Sequence, residues 1–438
     1  MLTREDNELL TQTGPGTPMG DLFRRFWQPV LLAEELPEPD SPPVRIKVLS
    51  EQLVAFRGTN GEVGVVDNYC PHRRASLFFG RNEEDGLRCV YHGWKFDVNG
   101  DCVDMPSEPA ESNFKDKVKI KSYPARDWGG CIWIYMGPIE QMPGLPQFEW
   151  CMVPASHRNV RRWIQESNYM QATEGEIDTS HVSFNHRWFD LSKAPRQNIG
   201  RRLKNGAALT NLDGAPQLTV KETDYGFIYG SRRRVDVDEY YWRVTQFVLP
   251  FYSFIPNPSD REGGRCWVPM DDEHISVFQY SVSTGEAFTD EQRRMANLSP
   301  ENLTRVKYEF ADGSCVDTWR PQRQLENDFL IDRDMQRTIN YTGIGSGREQ
   351  DMAMTDSMGS IADRTREHLG TSDTAIIAGR RILLRLAREL QEGVEPYAPS
   401  HPEVFGVRAI DVVDSQADFF KLLQEKGELG KSKATMPA

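Results

Sequence analysis

The stretch CPHRRASLFFGRNEEDGLRCVYHGW, residues 70–94, carries two of the chain's seven cysteines and two of its eight histidines. Each cysteine stands shortly before a histidine: one residue separates Cys70 from His72, and two residues separate Cys89 from His92. Sixteen residues lie between the two pairs. Thiolate and neutral imidazole are both good ligands for zinc and for the iron of an iron–sulfur cluster. The pattern therefore predicts a metal centre held by two short loops.

Two kinds of centre fit this ligand set. A structural zinc site is one, although zinc fingers usually place both cysteines before both histidines. The other is a Rieske [2Fe–2S] cluster, in which two histidines replace two cysteines on one of the irons. The pairing of each cysteine with its own histidine favours the cluster. Gly93 permits a tight backbone turn after the second histidine, and Trp94 and Trp128 are candidates to shield the site.

Composition excludes several classes of protein. The chain has 438 residues, enough for two or three domains, and its 38% hydrophobic content with ten Trp and 21 Phe indicates a folded globular protein. A net charge of −13 argues against nucleic-acid binding. No apolar run is long enough for a membrane span, and the acidic start MLTREDNELL has no secretory signal. The scattered, odd-numbered cysteines favour the reducing cytoplasm.

The order of turns and apolar runs predicts an α+β chain. Between residues 44 and 136, short strand-like runs are separated by the hairpin dipeptides Asn60-Gly61, Asp85-Gly86 and Asn99-Gly100, which indicates a small all-β domain. A proline-rich linker follows at 137–146. The rest is predicted to begin with a helix at 167–181 and to end with an amphipathic helix from Asp373 onward. Four strands are predicted between them, at 217–220, 226–233, 240–249 and 274–282.

A second group of candidate ligands follows the linker. Asp178, His181 and His186 form the pattern D-x2-H-x4-H, and Gln171 and Glu174 extend it backwards at helical spacing. A charged stripe is usually solvent-exposed, but this segment has few Lys or Arg. Fe(II) that activates O2 typically takes two histidines and one carboxylate. Histidines five residues apart cannot reach one metal from an ideal helix, so we expect an irregular turn at 182–185.

The two motifs, in this order, resemble the oxygenase (alpha) subunits of Rieske non-haem iron aromatic-ring-hydroxylating oxygenases. The resemblance covers essentially the whole chain, and residues 14–20, 326–333 and 357–370 resemble the phthalate dioxygenase branch. Respiratory Rieske proteins carry two further cysteines that form a disulfide; Ala75 and Tyr91 stand at those places here. The resemblance implies a lower-potential, more exposed cluster. It also implies an N-terminal segment (1–25) packed on the catalytic domain, a Rieske domain (26–140), and a catalytic domain (141–438) with an antiparallel sheet flanked by helices in a helix-grip arrangement.

The resemblance further implies roles for individual residues. Asp351 is the expected carboxylate ligand of the mononuclear iron, with Asp356 and then Glu349 as alternatives. Asp178 is expected to link His181 to His92 of an adjacent chain, which implies a head-to-tail homotrimer, alone or stacked as a hexamer. Glu174 falls where relatives often place Asn or Asp near the iron, so we expect a catalytic role for it as well.

The implied activity uses O2 and electrons from NADH, delivered by a reductase that carries FMN and a plant-type [2Fe–2S] cluster. The expected reaction is dihydroxylation of an aromatic carboxylic acid. The alternative is O-demethylation of a methoxylated, lignin-derived aromatic acid, which yields a phenol and formaldehyde. A more distant alternative is a non-catalytic electron-transfer protein, which would not need the second motif.

An aromatic carboxylate in an apolar pocket requires a cation, and Arg can bind it through two hydrogen bonds. Arg243 shares a predicted strand face with Tyr241, Thr245 and Phe247, so we predict that it contacts substrate. The run Arg232–Arg234 is instead predicted to be a solvated strand edge.

Overall fold

The computed structural model of the protein describes residues 1–109, 111–189, 209–211, 213–256, 261–297, 303–432 and 434. Its α-helices are α1 (Arg4–Thr11), α2 (Pro18–Arg24), α3 (Glu149–Met152), α4 (Tyr169–Ile177), α5 (Asp290–Asn297), α6 (Arg333–Thr338), α7 (Gly347–Asp356), α8 (Thr374–Gln391) and α9 (Phe419–Lys426). Within these ranges, none of the helices is long and apolar enough to cross a membrane.

The N-terminal region consists of small antiparallel sheets. One sheet contains β1 (Trp27–Leu32), β10 (Ala125–Trp128) and β11 (Cys131–Tyr135). A second contains β2 (Val44–Val48), β3 (Glu51–Arg57), β4 (Val63–Asp67) and β9 (Ser122–Tyr123). A third contains β5 (Arg81–Glu83), β6 (Gly86–Arg88), β7 (Lys95–Phe96) and β8 (Cys102–Asp104). The predicted all-β organisation is therefore confirmed.

The three predicted hairpin turns are also present. Gly61, Asp85 and Gly100 all have positive φ, at 87°, 58° and 80°. At Gly100 a Cβ atom would lie 2.2 Å from the carbonyl oxygen of Ile120, so only glycine fits this turn. Of the strand-like runs in this region, those at 87–91 and 94–98 form only the short strands β6 and β7. β6 ends at Arg88 because the loop that begins at Cys89 leaves the sheet.

The C-terminal region is built on an antiparallel sheet that runs in the order β12-β18-β17-β16-β15-β14-β13, with β21 paired to β15. Its strands are β12 (Arg158–Gln165), β13 (Gln217–Thr223), β14 (Gly226–Asp236), β15 (Glu239–Val248), β16 (Tyr252–Phe254), β17 (Arg261–Pro269), β18 (Ile275–Ser283) and β21 (Ile410–Asp414). The remaining hairpin comprises β19 (Thr304–Glu309) and β20 (Cys315–Arg320). Helices α4 and α8 contact the sheet, as predicted for an antiparallel sheet flanked by helices.

The N-terminal helices pack on this second region. α1 and α2 contact α8, and the hydroxyl of Tyr169 donates to the carbonyl of Leu10 at 2.7 Å. The side chain of Asn168 donates to the carbonyl of Thr11 at 2.9 Å and also accepts from the N–H of Met170, which caps α4. This contact gives α4 a fixed start within the core.

α4 ends earlier than predicted, at Ile177 instead of His181. Asp178 is extended, with φ −77° and ψ 130°, and its side chain accepts from the N–H of Ser180 at 2.7 Å. Such a local hydrogen bond competes with helix continuation. The prediction that Gln171, Glu174, Asp178 and His181 share one helical face is therefore wrong for the last two.

A buried ion pair joins the two regions. Arg162 on β12 binds both carboxylate oxygens of Glu35, at 2.6 and 2.7 Å, and also donates to the hydroxyl of Thr318 at 3.0 Å. The Glu35 side chain has no exposed surface and that of Arg162 has 3%. Because both side chains are almost inaccessible to water, loss of either one would leave the other charge poorly solvated.

We expect Arg162→Met to lower the free energy of unfolding by about 3–5 kcal/mol, because the buried carboxylate of Glu35 then keeps only the more distant cation of Arg305, at 3.7 Å. Denaturant unfolding followed by circular dichroism measures the change. Arg337→Met is the matched control, since the ion pair between Arg337 and Asp334 is exposed, and it should change stability by less than about 1 kcal/mol. Equal stability losses in the two variants would contradict this prediction.

Candidate active site

The two Cys–His loops have the same backbone design. The N–H of Cys70 donates to the carbonyl of Ala75, and the N–H of Arg74 donates back to the carbonyl of Cys70, both at 2.9 Å. Cys89 repeats this pattern with Trp94 and Gly93, at 2.8 and 2.9 Å. The fifth residue of each loop has positive φ, 61° at Arg74 and 80° at Gly93. Two loops with the same backbone hydrogen bonds therefore each present one cysteine and one histidine.

The side chains of these loops form a centre with a buried and an exposed end. Cys70 and Cys89 are buried, whereas His72 is exposed and His92 is half-buried. The imidazole rings of His72 and His92 lie 4.3 Å apart, and Trp94 stacks on His72 at 4.5 Å. Burial, followed by the neighbouring Cys89, raises the pKa of Cys70 to about 12, so binding of iron must displace its proton. The donor set fits a Rieske cluster whose histidine-bound iron faces the surface.

The second centre lies where α4 gives way to an irregular turn. A 3-10 turn spans His181–Ser183, and the N–H groups of Phe184 and Asn185 both donate to the carbonyl of His181. The irregular turn expected at 182–185 is therefore present. It brings Nε2 of His181 to 3.2 Å from Nε2 of His186.

The helix α7 supplies a carboxylate to the same point. Oδ1 of Asp351 lies 3.0 Å from Nε2 of His186 and 3.5 Å from Nε2 of His181. Within the described residues, these three side chains are a group whose ligand atoms all lie within 4.8 Å of one another. Two imidazoles and one carboxylate on one side of a site are the donor set of mononuclear non-haem iron.

Asp178 lies beside this group. Its Oδ2 is 3.3 Å from Nδ1 of His181, so the Nδ1–H of His181 points away from the other two ligands. Burial alone would raise the pKa of Asp178, but the hydrogen bonds from His181 and from the N–H of Ser180 hold it below its usual value. Asp178 is therefore an anion that fixes the orientation of His181.

The other candidate carboxylates lie elsewhere. Glu174 is bound by Arg364 at 3.0 Å and by Arg380 at 2.5 Å, and these contacts give it a structural ion pair in place of the expected role near the iron. Asp356 accepts from the side chain of Gln165 at 2.9 Å, and burial raises its pKa to about 6. Glu349 is fully buried and pairs with Arg323 at 3.0 Å. None of the three joins the group formed by Asp351.

The prediction of a solvated edge for the Arg232–Arg234 run is wrong at its centre. Arg233 is fully buried, and it donates to the carbonyl of Thr179 at 2.7 Å. Burial, and then the nearby charge of Arg243, lowers the pKa of Arg233 to about 10, so it is still a cation at neutral pH. Arg234 is exposed, as expected.

Arg233 and Arg243 lie on the same face of the sheet. In the register of β14 and β15, Ser231 is opposite Arg243 and Arg233 is opposite Tyr241, and residues directly opposite share a face. Thr179, which Arg233 contacts, lies between Asp178 and His181 in the chain. The two guanidinium groups thus lie on the side of the sheet that faces the candidate iron ligands.

Sequence reasoning missed two polar residues of the site. The side chain of Asn185 donates to Oδ1 of Asp351 at 3.1 Å, and Oε1 of Gln350 is 2.7 Å from Nδ1 of His186. Each is adjacent in sequence to a predicted ligand. Their amide groups carry no charge and match no ligand pattern, so only that adjacency could have drawn attention to them.

Comparison with known protein families agrees with this geometry. Residues 26–124 match the Rieske [2Fe-2S] domain, and residues 134–433 match the family described as LigXa C-terminal domain like. The fold and the two centres define a Rieske oxygenase. The chain belongs to the Rieske non-haem iron oxygenases, in the phthalate dioxygenase-like branch, and its cofactors are a Rieske cluster and a mononuclear iron.

Three curated relatives cover most of the chain. The 3-chlorobenzoate-3,4-dioxygenase oxygenase subunit of Comamonas testosteroni is 41% identical over 89% of this chain and 89% of its own length. The phthalate 4,5-dioxygenase oxygenase subunit of Pseudomonas putida is 40% identical over 90% and 88%. The 5,5'-dehydrodivanillate O-demethylase oxygenase subunit of Sphingobium sp. (strain NBRC 103272 / SYK-6) is 33% identical over 91% and 83%.

A solved structure supports the fold alone. Pseudomonas putida CBB5 NdmA with caffeine superimposes with a TM-score of 0.59 at 18% identity, covering 92% of this chain and 100% of that one. The curated relatives identify the protein as an enzyme that is the oxygenase component of a multicomponent system. As such, it receives electrons from a ferredoxin or reductase partner.

Asp351→Ala should lose the mononuclear iron and keep the Rieske cluster, because it removes one of three convergent ligands and leaves the Cys–His loops unchanged. Iron and inorganic sulfide analysis, with the EPR spectrum of the reduced cluster, separates the two metal sites. Asp356→Asn is the control and should retain both, since Asp356 is bound to Gln165. Retention of all the iron in Asp351→Ala, or loss of mononuclear iron in Asp356→Asn, would refute the ligand assignment.

Proposed function

We propose that the protein hydroxylates an aromatic carboxylic acid at a mononuclear iron held by His181, His186 and Asp351. The observation that carries the substrate class is the buried cation Arg233. Its hydrogen bonds to described residues all go to neutral oxygen atoms, those of Thr179, Ser231 and the backbone of Asp213. A buried charge normally needs a counter-charge. The carboxylate of Asp213 is close enough to raise the pKa of Arg233, and an anionic substrate that reaches this face would supply a further counter-charge.

Arg243 is the second cation on this face, with Asp411 of β21 directly opposite it in the sheet. It is half-buried, and the rings of Tyr229 and Tyr241 on the same face are buried. A guanidinium group binds a carboxylate through two parallel hydrogen bonds, which fixes orientation as well as affinity. We therefore assign Arg243 to the substrate carboxylate and propose ring dihydroxylation, the reaction class named for the two relatives at 40% and 41% identity.

O-demethylation of a methoxylated, lignin-derived aromatic acid is the second candidate. The relative named as an O-demethylase, at 33% identity, favours it. Such a substrate also carries a carboxylate, so Arg233 and Arg243 serve both reactions. Product analysis separates them: a panel of phthalate-like and methoxylated aromatic acids is incubated with the enzyme, NADH, O2 and a reductase containing FMN and a [2Fe–2S] cluster. A cis-dihydrodiol identifies dihydroxylation, whereas a phenol with formaldehyde identifies demethylation.

We place this system in the cytoplasm, where NADH is available to the reductase. The seven cysteines are all unpaired in the structure, which fits a reducing compartment.

Arg243→Met should raise the apparent Kd of the productive aromatic acid at least about tenfold, because a charge-assisted bond to a desolvated carboxylate is worth about 2–5 kcal/mol. Spectroscopic or calorimetric titration measures the Kd, and the iron content should not change. Arg234→Met is the control, since Arg234 is exposed on the neighbouring strand; Arg233→Met is not suitable because Arg233 is buried. Wild-type affinity in Arg243→Met, or turnover restricted to neutral arenes, would reject the carboxylate proposal.

We also propose that three chains assemble head to tail, alone or stacked as a hexamer, so that Asp178 links His181 to His92 of the adjacent subunit. Two exposed apolar patches support a contact of this kind. Val90 and Tyr91 are exposed beside His92, while Phe184, Phe189 and Tyr341 are exposed near the iron-site histidines. Different patches on one chain pair heterologously, and a heterologous contact must close into a ring to remain finite.

Asp178→Asn should keep both metal centres and nearly abolish turnover, because the anion between the two histidines is lost. In a single-turnover experiment with substrate and O2, the reduced Rieske cluster should remain reduced. Ser180→Ala is the control, because the hydroxyl of Ser180 has no hydrogen-bond partner among the described residues and only its backbone N–H contacts Asp178. Its cluster should reoxidise as in wild type. Rapid reoxidation in Asp178→Asn would remove Asp178 from the electron route.

A further inference from the structure

Gln350 makes a directed contact with one of the iron-site histidines. Its side chain is fully buried on α7, immediately before Asp351. Its Nε2 donates to the carbonyl of Ile344 at 2.8 Å, and its Oε1 lies 2.7 Å from Nδ1 of His186. The carbonyl of Ile344 can only accept. The amide nitrogen of Gln350 must therefore face Ile344, and the amide oxygen must face His186.

This orientation determines which nitrogen of His186 carries the proton. An amide oxygen only accepts hydrogen bonds, so Nδ1 of His186 must be the protonated nitrogen. Nε2 of His186 then has a free lone pair, directed to the point that it shares with Asp351, at 3.0 Å, and with His181, at 3.2 Å. The contact selects the tautomer that a metal at this point requires.

The acceptor that fixes Gln350 is itself fixed. The carbonyl of Ile344 also accepts from the side chain of the fully buried Asn340, at 2.8 Å. The segment that contains Asn340 pairs with the residues that follow His186: the N–H of Tyr341 donates to Arg187, and the N–H of Phe189 donates to Ile339. Gln350 therefore lies in a rigid frame that joins α7 to the strand-like segment after His186.

We propose that Gln350 is a positioning residue of the mononuclear iron site, which holds His186 in the ring orientation and tautomer that present Nε2 to the iron. The inference rests on the proposed ligand set of His181, His186 and Asp351. In this arrangement the two histidines have different partners, the anionic Asp178 for His181 and the neutral Gln350 for His186. The amide orients His186 without adding a second negative charge beside Asp351.

The test measures metal binding and does not depend on substrate. The mononuclear iron is removed from the holoenzyme with a chelator, Fe(II) is titrated back without oxygen, and bound iron is counted. Gln350→Met should weaken Fe(II) binding about tenfold to a hundredfold, the range for loss of a hydrogen bond to a ligating histidine. It should also broaden the high-spin EPR signal of the nitric oxide complex, because His186 then adopts more than one orientation.

Gln171→Met is the matched control. Gln171 is also a buried glutamine, and it bonds to the carbonyls of Thr355 and Gly359 and to the N–H of Ala362, so it ties α4 to the end of α7 without touching a histidine. Its substitution should lower the unfolding temperature and leave both Fe(II) affinity and the EPR line shape unchanged. Equal loss of affinity in Gln171→Met and Gln350→Met would overturn the inference, as would wild-type affinity in Gln350→Met.

Gln350→Glu decides the question if Gln350→Met does not fold. It keeps an acceptor for the Nδ1–H of His186, although it loses the donor to the carbonyl of Ile344 and adds a negative charge. The added charge can shift the EPR signal but should not broaden it, because His186 keeps one orientation; a broadened signal would overturn the inference. Asp351→Ala separates this inference from the proposed function. If Asp351→Ala keeps its mononuclear iron, the ligand set itself is wrong; if only Gln350→Met behaves as wild type, the ligand set stands and the role of Gln350 fails.

Discussion

The close packing of α7 on α4 is the contact on which the iron site depends. It brings Asp351 to 3.0 Å from His186, although the two residues are 165 positions apart in the chain. Gly175 permits this approach, because a Cβ atom there would lie 3.3 Å from a methyl carbon of Thr355. A shift of α7 would separate the carboxylate from both histidines.

Buried ion pairs connect α4 and other elements of the core to distant parts of the chain. Arg364 and Arg380 bind Glu174 on α4, and Arg380 also binds Glu367 at 2.6 Å. Arg408 pairs with Glu149, both nearly inaccessible to solvent. Replacement of such pairs by apolar residues is often neutral in stability, whereas loss of one partner is costly. Two of these contacts join elements that are distant in sequence, since Glu174 and Arg364 are 190 residues apart and Glu149 and Arg408 are 259 apart.

The two metal centres differ in their access to partners. The Rieske histidines lie at the exposed end of their loops, where an electron donor or a neighbouring subunit can approach. The iron-site histidines are less exposed than His72, with 23% and 18% of their side-chain surface accessible, and they lie beside Asp351 of α7.

The sequence alone determined the Cys–His loops, the irregular turn at the iron-site histidines and the β organisation of the N-terminal region, because each depends on residues close together in the chain. It also pointed to Asp351 through the resemblance to a known family. It failed where long-range contacts decide. Glu174 has the spacing of a site residue, yet its carboxylate is bound by Arg364 and Arg380. Arg233 belongs to a run typical of a solvated edge, yet it is buried and donates to the carbonyl of Thr179. Only the folded structure shows that α4 ends before Asp178 and that the side chain of Gln350 contacts His186. A side chain's neighbours across the core are set by packing between distant segments, and local spacing carries no information about them.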